Sequence, residues 1–172
     1  MKKIIDGILC DTENAKFITG DIIPLECKEL YQTSTGEYFL YKEREDRPDE
    51  IKLCSEEYAE VMIDYTTEEK IICPQDVWKR KKKVFQEIKE YVSNHLYNPD
   101  KKNEYSFLCV RERDGYLRIY NGGFFVCIGL EKGDFILDTD DMCYQDIDMV
   151  KDIRDHKDTI LSMFFKEINK GD

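Results

Sequence analysis

Short runs of β-forming residues, each closed by a tight glycine turn, constrain this chain more than any other feature. Lys2–Ile5 and Ile8–Cys10 flank Asp6-Gly7, and Glu104–Arg113 and Tyr116–Tyr120 flank Asp114-Gly115. An Asp-Gly pair favours the type I′ hairpin because both central positions need positive φ. Cys27–Thr33 and Glu37–Lys42 flank Ser34-Thr35-Gly36. Asn121-Gly122-Gly123 leads into Phe124–Leu130, and Lys132-Gly133 leads into Asp134–Asp138. Ala15–Thr19 and Ile51–Cys54 complete the set of strand candidates. The pattern predicts antiparallel hairpins near the start and a four-stranded meander later.

Three segments carry helical spacing instead. Ser55 is placed to cap a helix running to about Tyr65, with Glu56 and Glu57 in its positive first turn and Tyr58, Val61, Met62 and Tyr65 on one face, expected to be buried. Pro74 and Asp76 open a second helix whose apolar stripe includes Trp78, Val84, Phe85, Ile88 and Val92, and Asn98-Pro99-Asp100 ends it. In the tail, Val150, Ile153, Ile160, Leu161, Phe164, Phe165 and Ile168 fit one long helix or two broken near Asp158-Thr159. The expected class is therefore α+β, antiparallel hairpins and a meander packed with helices in two small lobes. Residues 1–73 form an acidic β-rich lobe with one helix, and residues 74–172 an α-β-β-β-β-α lobe.

Charge supports that division. The 172 residues carry 26 Lys plus Arg against 37 Asp plus Glu, a formal net charge of −11. Residues 1–73 hold 9 basic and 18 acidic side chains, residues 74–103 hold 8 and 4, and residues 104–172 hold 9 and 15. Such an acidic balance argues against duplex DNA as a direct partner, because counterion release needs clustered cations. No run approaches a membrane span and no apolar signal-peptide core follows Met1, so no membrane partner and a cytoplasmic location are expected. The seven cysteines are odd in number, widely spaced and mostly set in apolar runs, so they are expected as reduced thiols.

The segment Lys3-Ile-Ile-Asp-Gly-Ile-Leu-Cys-Asp-Thr-Glu-Asn-Ala-Lys16, then Glu29-Leu-Tyr-Gln-Thr-Ser-Thr-Gly-Glu-Tyr-Phe-Leu-Tyr41, then Leu53-Cys-Ser-Glu-Glu-Tyr-Ala59, resembles a small uncharacterised module of proteins from phages and mobile elements of Gram-positive bacteria. The resemblance covers about the first 65 residues. It implies a context, that of mobile-element accessory proteins, some of which inhibit host defence systems. It assigns no catalytic residue.

Four constellations are candidates for chemistry. Asp138, Asp140 and Asp141, with Asp146 and Asp148 beyond, could offer oxygens to a divalent cation in a small metal-dependent enzyme, although the segment fails the calcium-loop pattern. His95 and His156 are the only histidines, and neither has a cysteine at metal-ligand spacing. The run Lys79-Arg-Lys-Lys-Lys83 suggests docking on carboxylates of this chain or of an acidic partner, with nucleic acid as the competing reading. Glu43, Glu45, Asp46, Asp49, Glu50, Glu56, Glu57 and Glu60 make the first lobe a dense carboxylate surface, able to present a phosphate-like field to a basic groove. With no catalytic motif and no cofactor implied, the expected function is that of a non-catalytic accessory protein. It would inhibit a nucleic-acid-binding defence protein through that acidic surface. An immunity or antitoxin-like protein is the alternative within the binding class.

Overall fold

A computed structural model describes residues 1–23, 26–66, 74–95, 108–121, 124–139 and 146–169. The class is α+β: three antiparallel sheets and four helices stand among the described residues. The chain divides into two compact units, Met1–Lys79 and Arg80–Asp172.

In the first unit, β1 (Lys2–Ile5) and β2 (Ile8–Asp11) form a hairpin through Asp6 and Gly7, whose φ of 51° and 81° are the left-handed values this turn demands. β3 (Lys16–Ile23), β4 (Glu26–Gln32), β5 (Tyr38–Arg44) and β6 (Glu50–Cys54) make a four-stranded meander in that order. The register slips between Phe17 and Thr19, so Ile18 is a bulge residue facing the same side as Leu30 and Leu40. On that side α1 (Glu56–Thr66) packs Ala59 and Met62 against Ile18, Leu30 and Leu40. On the other side Phe17, Tyr31, Phe39 and Ile51 form a core with Cys10 of the hairpin and Trp78.

Helix α2 (Gln75–His95) starts in this unit, and its Trp78 ring stacks on Phe17 with centroids 6.2 Å apart. The indole lies flat over Gly20, where a Cβ would stand 2.3 Å from ring atoms. The sequence pattern places a strand only over Ala15–Thr19. Gly20 is instead a mid-strand position kept bare for the indole, and β3 continues four residues further.

In the second unit, β7 (Leu108–Arg113), β8 (Tyr116–Asn121), β9 (Phe124–Gly129) and β10 (Phe135–Thr139) are the expected meander, ordered 10-9-8-7. Leu108, Val110, Leu117, Ile119, Val126 and Ile128 alternate onto one face and are almost wholly buried. Val84, Phe85, Ile88 and Val92 of α2 are buried as their spacing predicts. The tail is two helices, α3 (Asp146–Asp155) and α4 (Lys157–Ile168), broken at His156. No helix of the described residues is long and apolar enough to cross a membrane.

Candidate functional site

Two elements of the first unit carry the carboxylates singled out in the sequence, and they treat them differently. Between β5 and β6, residues 45–49 form the hairpin loop. Arg44 donates to Glu26 through Nε at 2.8 Å and reaches Glu50 at 2.5 Å. Asp49 accepts from the Tyr41 hydroxyl at 2.7 Å and from the Arg44 amide at 3.4 Å, and Asp46 pairs with Arg47 at 3.3 Å. Glu43 and Glu45 are exposed. Much of this loop's charge is thus spent on closing the loop, and five carboxylates stand with two arginines within residues 43–50.

Helix α1 is different. Ser55 Oγ accepts the Tyr58 amide at 3.2 Å, the N-cap bond expected of it, and Glu56 and Glu57 occupy the first turn. Because small Ala59 and Met62 face the sheet, Glu56, Glu57, Glu60 and Asp64 all point outward, and the helix contains no Lys or Arg. Tyr58 and Val61, read from spacing as buried, are 43% and 67% exposed. Met62, of the same expected face, is buried as its spacing predicts, and Ala59 takes the place beside it against the sheet. The two acidic groups lie at opposite ends of β6, roughly 14 Å of strand apart at about 3.4 Å per residue.

A network absent from the sequence reading fills the sheet face toward the loop end. Lys28, Lys42 and Arg44 converge on Glu26 at 3.7, 3.8 and 2.8 Å. Burial pushes the Glu26 carboxyl up, but the Arg44 hydrogen bond and the Lys42 and Lys28 charges outweigh it and hold it below its ordinary range. Alternation in β4 and β5 placed these cations on one face, but only the register shows them meeting.

At the α1 end, an open cavity of about 440 Å³ is lined by Gln32, Glu37, Tyr38, Leu53, Cys54 and Glu56, among others. The Thr33 and Thr35 hydroxyls donate to Glu37 at 2.6 and 2.5 Å, and with the backbone they keep its carboxyl below the usual range. Burial pushes the Cys54 thiol up to about 11, so it is protonated at neutral pH and a poor nucleophile. The cavity therefore offers fixed negative charge to a cation.

The remaining candidates resolve as follows. Lys81 is bound to Glu112, and Lys83 lies 3.5 Å from Glu87 and 3.6 Å from Glu167, so the basic run docks at least partly on carboxylates of its own unit. His156 Nδ1 and the Tyr91 hydroxyl share a hydrogen bond of 2.6 Å, and the His95 ring stacks on Tyr91 at 4.5 Å. Nothing in the spacing of 61 residues between the two histidines announced a common neighbour. The side chains of Asp138, Asp140, Asp141, Asp146 and Asp148 lie outside the described residues. Comparison of the chain with protein-family models, curated proteins and solved structures gives no match.

Proposed function

We propose that this chain is a non-catalytic accessory protein of a phage or mobile element. In this reading it inhibits a nucleic-acid-processing defence protein, of which CRISPR-type enzymes are one class, by occupying its basic groove. The observation that carries the reading is the outer face of α1, where four exposed carboxylates stand without a cation on the helix and surround exposed Tyr58 and Val61. Carboxylates spaced along a helix steer a basic groove and mimic a line of phosphates, while an aromatic in their midst supplies the desolvated anchor that binding energy concentrates on. In this reading the cavity at the start of α1, flanked by Glu37 and Glu56, receives a basic side chain of the same partner. The loop of Glu43, Glu45, Asp46, Asp49 and Glu50 is secondary in this reading, since its charge is partly satisfied internally.

The test is capture of partners from host cells by the native chain and by a variant carrying Glu56→Gln, Glu57→Gln and Glu60→Gln. A nucleic-acid-binding protein held by the native chain, lost in the variant and displaced by excess nucleic acid is expected. A partner retained equally by both would remove α1 from the interface.

A further inference from the structure

The described sheet of the second unit ends on a strand built like an interior one. Val126, Cys127 and Ile128 of β9 are at most 7% exposed, so β9 is buried on both faces. Their register partners on β10 are Leu137, Ile136 and Phe135, equally apolar, and β10 stands at the end of the strand order. There the burial stops: Ile136 on one face is 46% exposed and Leu137 on the other 36%. Val110, Ile119, Val126 and Leu137 form one row of cross-strand partners, the first three almost wholly buried and the last exposed. Edge strands are ordinarily protected by a charged side chain or a proline, and an uninterrupted apolar run belongs to a strand covered on both sides. Phe135-Ile136-Leu137 is such a run and contains neither protection.

The backbone of this edge has unused bonding capacity. Gly129 N–H donates to the Asp134 carbonyl at 2.8 Å, and in an antiparallel ladder bonded and non-bonded pairs alternate. Ile136 therefore exchanges its bonds with Cys127, while Phe135 and Leu137 turn N–H and C=O away from β9, to a side where no strand among the described residues meets them. A cation stands at the same edge. The guanidinium of Arg154, an exposed residue of α3, lies 5.0 Å from the Phe135 ring centroid, and Arg154 makes no ion pair among the described residues.

We infer that the edge of β10 binds an extended segment of another protein as an added strand, with an acidic side chain of that segment on Arg154. Main-chain bonds to Phe135 and Leu137 hold the segment, since added strands draw affinity from the ladder and specificity from alternate side chains. The incoming strand lies about 4.8 Å from β10. Its residue opposite Leu137 extends the buried row, its residue opposite Ile136 covers the other face, and its residue opposite Phe135 comes beside Arg154. Apolar side chains suit the first two places, and a carboxylate suits the third, where a guanidinium offers it a charge-assisted bond. A second copy of β10 does not meet that requirement. Two such strands related by a two-fold axis place Phe135, Leu137 or Thr139 opposite Phe135, never an acid. This site is independent of the α1 face and of the partner proposed for it.

Selection of a random heptapeptide library on the whole chain, followed by fluorescence anisotropy of the recovered peptides in labelled form, tests the proposal. The recovered peptides should share an Asp or Glu beside two apolar residues. Arg154→Gln should weaken their binding about tenfold and flatten its dependence on salt. Ile136→Lys, which installs the charge that edge strands ordinarily carry, should abolish binding. Methylation of the peptide's backbone amides should do the same with the native chain, which keeps the test independent of any variant's folding. The Glu56→Gln, Glu57→Gln, Glu60→Gln variant should bind these peptides as the native chain does. Recovery of no peptide, recovered peptides without an acidic residue, or affinity unchanged by Arg154→Gln or by Ile136→Lys would overturn the inference. So would a homodimer in sedimentation that Ile136→Lys dissociates, since a second copy would then cover the edge.

Discussion

At the centre of the first unit the Glu29 carboxylate, 6% exposed, accepts the Trp78 indole N–H at 3.0 Å and the Tyr31 hydroxyl at 2.7 Å, and Gln75 reaches that hydroxyl at 3.5 Å. A buried carboxylate of this kind is tolerated only with donors in place. Gly20 completes the arrangement, because its missing Cβ lets the indole lie on the sheet. Gly20→Ala should therefore cost at least about 2 kcal/mol in chemical denaturation, through overpacking against a ring that cannot retreat. Stability should also depend on pH in two directions. Burial and the neighbouring Glu29 raise the Tyr31 hydroxyl above its ordinary 10, so its contribution is complete below pH 10 and lost as pH rises beyond it. The Asn14 hydrogen bond lowers Asp11, the Thr33 hydroxyl lowers Glu37, and cations lower Glu26 against its burial, so their contributions are complete above about pH 4 and lost as pH falls through the depressed values. A stability profile that is flat near neutrality and falls on both limbs is expected, with the alkaline fall reduced in Tyr31→Phe. Trp78 was legible as an apolar helix position, but its meeting with Glu29 was not: the two are 49 residues apart, and a Glu in a strand reads as solvated.

At the scale of elements the sequence was far more informative, and for a physical reason. Turns are written locally, and Asp6, Gly7, Gly36, Asp114, Gly115 and Gly133 take the positive φ that their hairpins and loops require. The stretch Leu30–Leu40, one part of the three segments read as resembling mobile-element proteins, has folding roles at most of its positions. Leu30, Tyr31, Phe39 and Leu40 are buried, Thr33 and Thr35 hold Glu37, and Gly36 makes the turn. The buried face of α1 was legible only in part: Met62 is buried as its spacing predicts, whereas Tyr58 and Val61 are exposed and Ala59 takes the sheet-facing position, a choice that depends on what the helix meets. Its start was legible, since the Ser55 cap is local. Ser55→Ala should destabilise the protein by about 1 kcal/mol, measured by denaturant midpoint at constant slope. In the tail, spacing leaves one helix or two open; two form, and the break falls at His156, just before Asp158-Thr159.

For the whole molecule, the acidic excess belongs almost entirely to the first unit, and the second is close to neutral. Among the described residues, Cys10, Cys27, Cys54, Cys109 and Cys127 take part in no disulfide, and Cys10, Cys109 and Cys127 are buried. Alkylation at pH 8 should modify Cys10, Cys109 and Cys127 of the native protein slowly, whereas in denaturant intact mass should show seven added groups. The central claim is that α1 meets a basic groove, and this has a kinetic signature, because attraction between unlike fields is screened within about 8 Å at physiological salt. Exchange of Glu56 and Glu57 for Gln costs only the dipole interactions of the first turn, about 0.3–1 kcal/mol each, so the variant remains folded. The most direct measurement is the association rate of the captured partner with the native chain and with the Glu56→Gln, Glu57→Gln, Glu60→Gln variant as ionic strength is raised. The native chain should associate fast at low salt and slow steeply, and the variant should start slower with a shallower dependence. Superimposable rates for the two chains across the series would contradict the account.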